Sequence, residues 1–584
     1  MSAESSTPTF GDELVDSFAD AGVGAVFFTS GSDIMFYQEG VARRQAQGQP
    51  DPQLVTVPHE LVNLAAAMGY SAVSGRPSVT AVHVDVGTLN YGAGIHSVSR
   101  SGLPVILTAG MPATADPGSM TGARDGGHFC TQQVPDQNGI LRQYMKWDHQ
   151  LQYRDNPWNV AGRAVQVASA YPPGPVYLSI PREVSMLASR ESSATRVPFA
   201  ARGPVTIGVP PARLVNELVQ SLVNAKNPMV VVGNGGRDPR SVPILAAFVE
   251  QFGLGVIDGC VPAANYQCLP MNHPLYWKRG SVKDADLVIV LECDVPWLAG
   301  RDDPLVDARV FLVSPRPVAD YLALLDIRAT ESVISDTATF CSAVLDELQK
   351  NASVDRAKLL QRSDRVRQNV AAARESDRQR VLARRSDDYI DPEWAAMAVA
   401  DAMPANALVL DDTVYSAPVR QYLTLEGPAQ YFRNTSSAGG WGPGAAFGAA
   451  LAQHERPVAL VIGDGFYMYG VPTCALWAAR AHKAPFLSVV FQNNSYNTGT
   501  EETARFYPGG FSQRGGFVGG YFPQPVDFAL EAQSVGAYGE NVHKSSELAL
   551  AIQRAFASVA EGRSAVVAVQ LPRLLELPQP DAKA

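Results

Sequence analysis

Gly463-Asp464-Gly465 and, after 27 intervening residues, Asn493-Asn494 set a carboxylate and an amide where a metal and a phosphate can be held together. Each group closes an apolar run, PVALVI before Asp464 and PFLSVVFQ before Asn493. The intervening FYMYGVPTCALWAARAHKA reads as a turn plus a helix. A strand–helix–strand unit brings both strand ends to one edge of a parallel sheet, the edge where α/β folds bind ligands. Glycines flanking Asp464 let the backbone approach a phosphate closely. A carboxylate, an amide oxygen and a nearby backbone carbonyl are hard oxygen donors. They suit Mg²⁺, which completes its octahedron with diphosphate oxygens and water.

A second set of candidates lies in VPHELVNLAAAMGYSAVSGRPSVTAVHVDVG. Glu60 opens an apolar helical stretch, where a desolvated carboxyl with a raised pKa shares a proton readily. A glutamate at a helix start also stabilises the first turn. His83 follows the apolar run SVTAV, and a histidine exchanges protons near neutral pH.

The GDG and NN pairs resemble the cofactor motif of thiamine diphosphate enzymes. SSAGGWGPGAAFGAALA at 436–452 is similar to the Gly-rich segment before GDG in the acetolactate synthase and benzoylformate decarboxylase group. VDFALEAQSVGAYGENVHKSSELALAIQRAFA at 526–557 matches their closing helices and strand. The resemblance implies that Asp464, Asn494 and the carbonyl of Tyr496 ligate Mg²⁺, with Gly463 and Gly465 beside the diphosphate. The GDG-to-NN spacing exceeds that of many members, so the helix after Gly465 is expected to start late.

The same resemblance gives the other candidates their roles. An HE pair followed by a helix containing GY carries the glutamate that hydrogen-bonds N1′ of the aminopyrimidine, which nominates Glu60. N4′ then takes the thiazolium C2 proton. HVDVGTLN places His83 on the histidine with which benzoylformate decarboxylases handle protons, and Ser32 in FFTSGSDIMF falls on their active-site serine. Gln133 in TQQVPDQNG matches the glutamine of the FQE segment of acetolactate synthases, although its aromatic and acidic neighbours are absent. The family sets a bulky Met, Leu or Ile under the cofactor, and an ungapped count puts Gly439 there, followed by Gly440 and Trp441. Either Trp441 supplies the wedge or the local backbone differs. Glu501 and Glu502 lie near the substrate-facing glutamate of pyruvate decarboxylases, one or two residues out of register. GNGG at 233–236 stands where acetolactate synthases and pyruvate oxidases bind FAD. It lacks the full GxGxxG spacing, so an empty central domain is the leading expectation.

The implied activity is cleavage or formation of a carbon–carbon bond next to a carbonyl, through a ylid and an enamine. The donor is a 2-oxoacid or a similar carbonyl compound. His83 and Ser32 point to a decarboxylase or lyase; length and segment order point to an acetolactate synthase-like carboligase. A 2-hydroxyacyl-CoA lyase and a cofactor-binding paralogue without catalysis are the further readings. Family membership implies a homodimer or homotetramer, with active sites formed between the first unit of one chain and the third unit of another.

These residues need a scaffold of strand ends. Apolar runs bounded by turn residues recur, among them SVTAVHVDVG, PVILTAG, PVYLSI, PMVVVGNGG, DLVIVL, RVFLVSP, ALVLDD and AVVAVQLP. Runs apolar at every position suit strands covered on both faces. The fold class is therefore α/β, with three doubly wound parallel-sheet domains. Polar, aperiodic residues at 187–203 and a highly charged stretch at 351–388, read as an exposed helix, divide the chain. The expected units are 1–190, 200–350 and 385–584, matching a length too great for one core. The net charge of −10 is dispersed, which argues against nucleic-acid or membrane partners. The acidic N-terminus is unlike a signal peptide, and no apolar run reaches membrane-spanning length. Six scattered cysteines without a CxxC pair suit free thiols in a cytoplasm.

Overall fold

A computed structural model describes residues 7–189, 196–203, 205–259, 265–278, 280–319, 322, 327–352, 354–413, 418–436 and 438–577. The first sheet holds β1 (Ala25–Phe28), β2 (Gln53–Thr56), β3 (Ser78–Val82), β4 (Val105–Met111), β5 (Trp147–Gln150) and β6 (Val176–Pro181). The central sheet holds β7 (Pro228–Val232), β8 (Gly255–Asp258), β9 (Leu287–Leu291), β10 (Arg309–Ser314) and β11 (Glu331–Ile334). The third holds β12 (Leu408–Asp412), β13 (Tyr431–Arg433), β14 (Val458–Gly463), β15 (Leu487–Gln492), β16 (Tyr538–Val542) and β17 (Ala565–Gln570). Every pairing in the three sheets is parallel. Strands β3, β4, β14 and β15 are buried along nearly their whole length, which suits their largely apolar composition.

The first and third sheets repeat one topology. Their orders are β2-β1-β3-β4-β6-β5 and β13-β12-β14-β15-β17-β16, and the central one is β11-β10-β9-β7-β8. The chain reverses direction across the sheet between β1 and β3, and again between β12 and β14, so a crevice opens at those strand ends. The β1 and β3 ends lead into Ser32–Asp33 and His83, and the β12 and β14 ends into Asp412 and Asp464.

Two helices lock the first unit to the third. Helix Glu60–Ser74 crosses helix Gly442–Ala452 through small residues. A Cβ at Gly448 would lie 1.9 Å from Ala66 O, one at Gly69 2.1 Å from Ala445 O, and one at Gly444 2.7 Å from Val62 O. Only glycine permits that approach. A single apolar cluster runs through the crossing and includes Val62, Ala66, Phe447 and Ala450. The central domain is tied to the third by buried Arg420, whose guanidinium donates to Asp258 at 2.8 Å through both Nε and Nη2.

Two local expectations are corrected. The apolar run 78–87 is not one strand: β3 ends at Val82 and a helix spans Val84–Asn90. Val84 turns the chain with φ +32°, its N–H donating to Asp33 Oδ2 at 3.1 Å. The helix after GDG does not start late. It begins at Asp464, ends at Tyr469, and resumes as Pro472–Ala481 after Val471 adopts φ +50°. The charged stretch forms a helix at Arg356–Leu382. Cys130, Cys268, Cys293, Cys341 and Cys474 are free thiols, and Cys260 lies outside the described residues. Among the described residues no helix is long and apolar enough to cross a membrane.

Candidate active site

Glu60 is the first residue of its helix, preceded by His59, whose Nδ1 accepts the Leu61 N–H and caps the turn. The Glu60 side chain lies against helix Val84–Asn90. Asn90 Nδ2 donates to Glu60 Oε2 at 2.5 Å, and a Cβ at Gly87 would reach within 3.4 Å of Oε1. His83 caps that same helix, so one short element spaces the histidine from the glutamate.

His83 is held from behind. Its Nδ1 hydrogen-bonds Asp33 Oδ1, and the other Asp33 oxygen takes the Val84 N–H. The Asp33 side chain is 0% exposed and that of His83 21%. The bond to Asp33 raises the imidazole pKa above its ordinary value, against the opposing effect of burial. Ser32 is exposed on the same turn, beside Gly31 and Asp33. Gln133 does not join this group: it is exposed and accepts a hydrogen bond from Arg124. Its neighbour Gln132 interacts with His83 and is half-buried. Asp33, Asn90 and Gln132 escaped the reading of the sequence. Asp33 had one signal, a charge set between apolar runs next to Ser32.

The second cluster forms at the ends of β14 and β15. Asp464 is 4% exposed, and burial pushes its carboxyl up to about 6 although backbone N–H groups oppose the shift. Its Oδ2 accepts the Asn494 N–H at 2.6 Å and its Oδ1 the Gly465 N–H at 2.8 Å. Asn494 sits at φ +51°, which turns the chain over the carboxylate. The Tyr496 carbonyl accepts the Thr500 N–H at 3.1 Å and the Thr500 Oγ1 hydroxyl at 3.5 Å. Tyr496 and Phe522 meet edge to face at 4.8 Å beside Gly465. A Cβ at Gly463 would meet nothing within 4 Å, so that glycine faces open space. The buried Asp464 carboxylate after β14, and after β15 the half-buried Asn494 amide, whose Oδ1 accepts from Gln492 Nε2 at 3.0 Å, and the carbonyl of exposed Tyr496, are hard oxygen donors of the kind that fits Mg²⁺ and a diphosphate.

Gly439 has no room for a wedge, because a Cβ there would lie 2.2 Å from the Phe466 ring. The bulky residue of the segment is Trp441, buried at the N-cap of helix Gly442–Ala452, with Nε1 lacking a hydrogen-bond partner. Gly440 takes φ +91° beside Gly470. Buried Asp412 anchors the segment by accepting Asn434 Nδ2 at 2.8 Å and the Gly442 N–H at 2.9 Å. The central GNGG turn is packed by the chain itself. Cβ atoms at Gly233, Gly235 and Gly236 would lie 2.4, 2.3 and 2.1 Å from Glu292 O, Thr337 Oγ1 and Gln267 O.

Residues 8–140 match the family described as thiamine pyrophosphate enzyme, N-terminal TPP binding domain. Residues 412–569 match its C-terminal TPP binding domain. The chain belongs to the thiamine pyrophosphate enzymes. Each matched region contains one of the two clusters. Benzoylformate decarboxylase of Pseudomonas aeruginosa is 26% identical over 464 residues, covering 75% of this enzyme and 78% of that one. The acetolactate synthase isozyme 3 large subunit of Escherichia coli is 23% identical over 573 residues, covering 95% and 93%. A solved structure of a thiamine diphosphate-dependent 4-hydroxybenzoylformate decarboxylase from Rhodococcus jostii RHA1 shares the fold. Its TM-score is 0.75 at 20% identity, over 97% of this chain and 99% of that one. The family is one of thiamine pyrophosphate-dependent decarboxylases and carboligases, and its cofactor is thiamine diphosphate.

Proposed function

We propose that this enzyme is a Mg²⁺- and thiamine diphosphate-dependent lyase that decarboxylates a 2-oxoacid and releases an aldehyde. The observation that carries the reading is helix Val84–Asn90, which has His83, bonded to Asp33, before its first residue and Asn90, bonded to Glu60, at its last. Asp464, Asn494 and the Tyr496 carbonyl hold the metal, and Gly463 and Gly465 admit the diphosphate. Trp441, in place of Gly439, supports the cofactor from beneath, with Gly440 completing the turn. Bound thiamine diphosphate supplies a carbon nucleophile and an electron sink for the bond next to a carbonyl. Glu60 shares a proton with N1′ of the aminopyrimidine. His83 moves a proton at the substrate carbon, and Ser32 orients the substrate from the same turn. Gln133, held by Arg124 at the exposed rim, is left without a part in the reaction.

Glu60 lies in the unit 1–190 and the metal ligands in 385–584, with 200–350 as a central unit that binds no FAD. We assign the two halves of each site to different chains of a homodimer or a pair of dimers. Carboligation is the second reading, favoured by the acetolactate synthase relative that matches nearly the whole chain.

The test is exchange of the cofactor C2 proton, followed by NMR in deuterated water with Mg²⁺ present, for wild type and Glu60→Gln. Fast exchange in the wild type and a loss of roughly 10²-fold or more in the variant are expected. Equal exchange in both proteins, or no cofactor binding, overturns the assignment. Turnover of benzoylformate to benzaldehyde then separates decarboxylation from carboligation.

A further inference from the structure

His83 sits where β3 ends at the β1–β3 crevice, and the structure fixes it through a residue with no assigned role. Asp33 is wholly buried, and both its oxygens are committed, one to His83 Nδ1 and one to the Val84 N–H. The fold makes space for this carboxylate at two glycines from separate elements. A Cβ at Gly110, in β4, would lie 1.7 Å from Asp33 Oδ2, and one at Gly31 2.6 Å from Oδ1 and 2.7 Å from His83 Nδ1. Val84, at φ +32°, is a β-branched residue in a backbone conformation such residues avoid. The Asp33 carboxylate holds it there. Strain maintained at a crevice beside a titratable side chain points to function.

We propose that Asp33 is a positioning residue that acts through His83. Its carboxylate anchors Nδ1, fixes the ring's tautomer and plane, and leaves Nε2 as the nitrogen that exchanges a proton with substrate. This rests on the decarboxylase reading of the site. In the step, His83 Nε2–H gives its proton to the substrate carbon that has lost carbon dioxide. A C–H bond forms, the imidazolium becomes neutral, and solvent returns the proton to Nε2. Asp33 stays ionised throughout and stabilises the charged form of the ring. The charged groups around the pair are Asp33 on the β1 loop, Asp85 on helix Val84–Asn90, and Arg182, which follows β6 and feels the Asp33 charge. The Gln132 amide is their neutral neighbour.

The experiment pairs an NMR titration with kinetics on the holoenzyme. Wild type and Asp33→Asn are labelled with ¹³C-histidine, and the His83 signal is identified by its loss in His83→Asn. Wild-type His83 is expected to titrate above the ordinary imidazole value of about 6.5 and Asp33→Asn lower, with the neutral tautomer changed. With benzoylformate as probe, kcat of Asp33→Asn falls by roughly 10-fold or more while KM moves far less. The alkaline limb of its rate profile shifts to lower pH. A merely structural Asp33 would leave that limb in place. An unchanged His83 titration or an unchanged limb overturns the proposal. If Asp33→Asn does not fold, the wild-type titration alone decides, and a value at or below about 6.5 refutes the pairing. If the wild type turns over none of a panel of 2-oxoacids, benzoylformate included, while His83 still titrates high, the decarboxylase reading fails and the anchoring stands.

Discussion

Adding one methyl group at the crossing of helices Glu60–Ser74 and Gly442–Ala452 should separate two effects that alanine has on a helix. Gly448→Ala puts a Cβ 1.9 Å from Ala66 O, which is 1.5 Å short of the 3.4 Å where ordinary contact begins. The obstructing atom is a helix carbonyl, which cannot rotate away as a flexible side chain would. Gly69 and Gly444 are already in close contact at the same crossing, so the helices must part. Overpacking of this kind costs about 1–3 kcal/mol or more. Alanine's advantage over glycine in a helix returns only about 0.5–1 kcal/mol. With the 1.5 Å overlap placing the cost toward the upper end of that range, the net expectation is a loss of about 1–2 kcal/mol. Gly499→Ala is the control: it lies in helix Asn497–Phe506, and a Cβ there meets nothing within 4 Å. It should gain up to about 1 kcal/mol. Calorimetry of both variants should give Tm shifts of opposite sign, at roughly 2–4 °C per kcal/mol for a cooperative unit of moderate size. Cofactor affinity should fall with Gly448→Ala alone, because the two helices begin at Glu60 and just after Trp441. A Gly448→Ala protein melting at or above wild type would refute the close crossing.

Asp464→Ala and Asn494→Ala should each abolish the Mg²⁺ dependence of thiamine diphosphate binding in calorimetric titrations. The loss should exceed the roughly 10–100-fold that outer-shell partners of a metal are worth. Asp258→Leu strands the buried Arg420 guanidinium and should cost about 3–5 kcal/mol in urea denaturation, much of it recovered in Asp258→Leu/Arg420→Met. The His83–Asp33 pair sets a pH-dependent stability. A base whose pKa is raised on folding contributes fully below its unfolded value and loses that contribution as pH rises through the folded one. The Tm deficit of Asp33→Asn should therefore be larger at about pH 5.5 than at about pH 9, and an equal deficit at both would contradict the ion pair.

The fold class was legible because parallel strands buried on both faces have one composition: β4 and β15 are apolar nearly throughout and bounded by turn residues. GDG and NN were legible for a related reason, since each group is contiguous with the strand that positions it. What escaped the sequence depends on atoms far along the chain. The wedge position at Gly439 is decided by Phe466, whose ring fills the space a side chain would need. Choosing between Gln132 and Gln133 means knowing the register of an irregular loop without periodicity. The break after Val82 comes from Asp33, which reaches back from the β1 loop to take the Val84 N–H.

The repeated topology explains why the chemistry divides as it does. In both the first and the third sheet, the ends of the two strands flanking the reversal carry a buried carboxylate that hydrogen-bonds a backbone N–H. Asp33 takes that of Val84, and Asp412 that of Gly442. In each case the residue beside the bonded amide is the one that faces ligand in the proposed function, His83 in one half and Trp441 in the other. A carboxylate at a strand end can hold a neighbouring loop only if the adjoining backbone comes close enough. That closeness depends on glycines at Gly31, Gly110 and Gly442, where Cβ atoms would lie within 2.6, 1.7 and 3.2 Å of the Asp33 or Asp412 side chain. Motifs such as GDG mark where ligand is held. The glycines set across from these carboxylates mark where the side chains around it are aimed, and they become visible only once the strands are side by side.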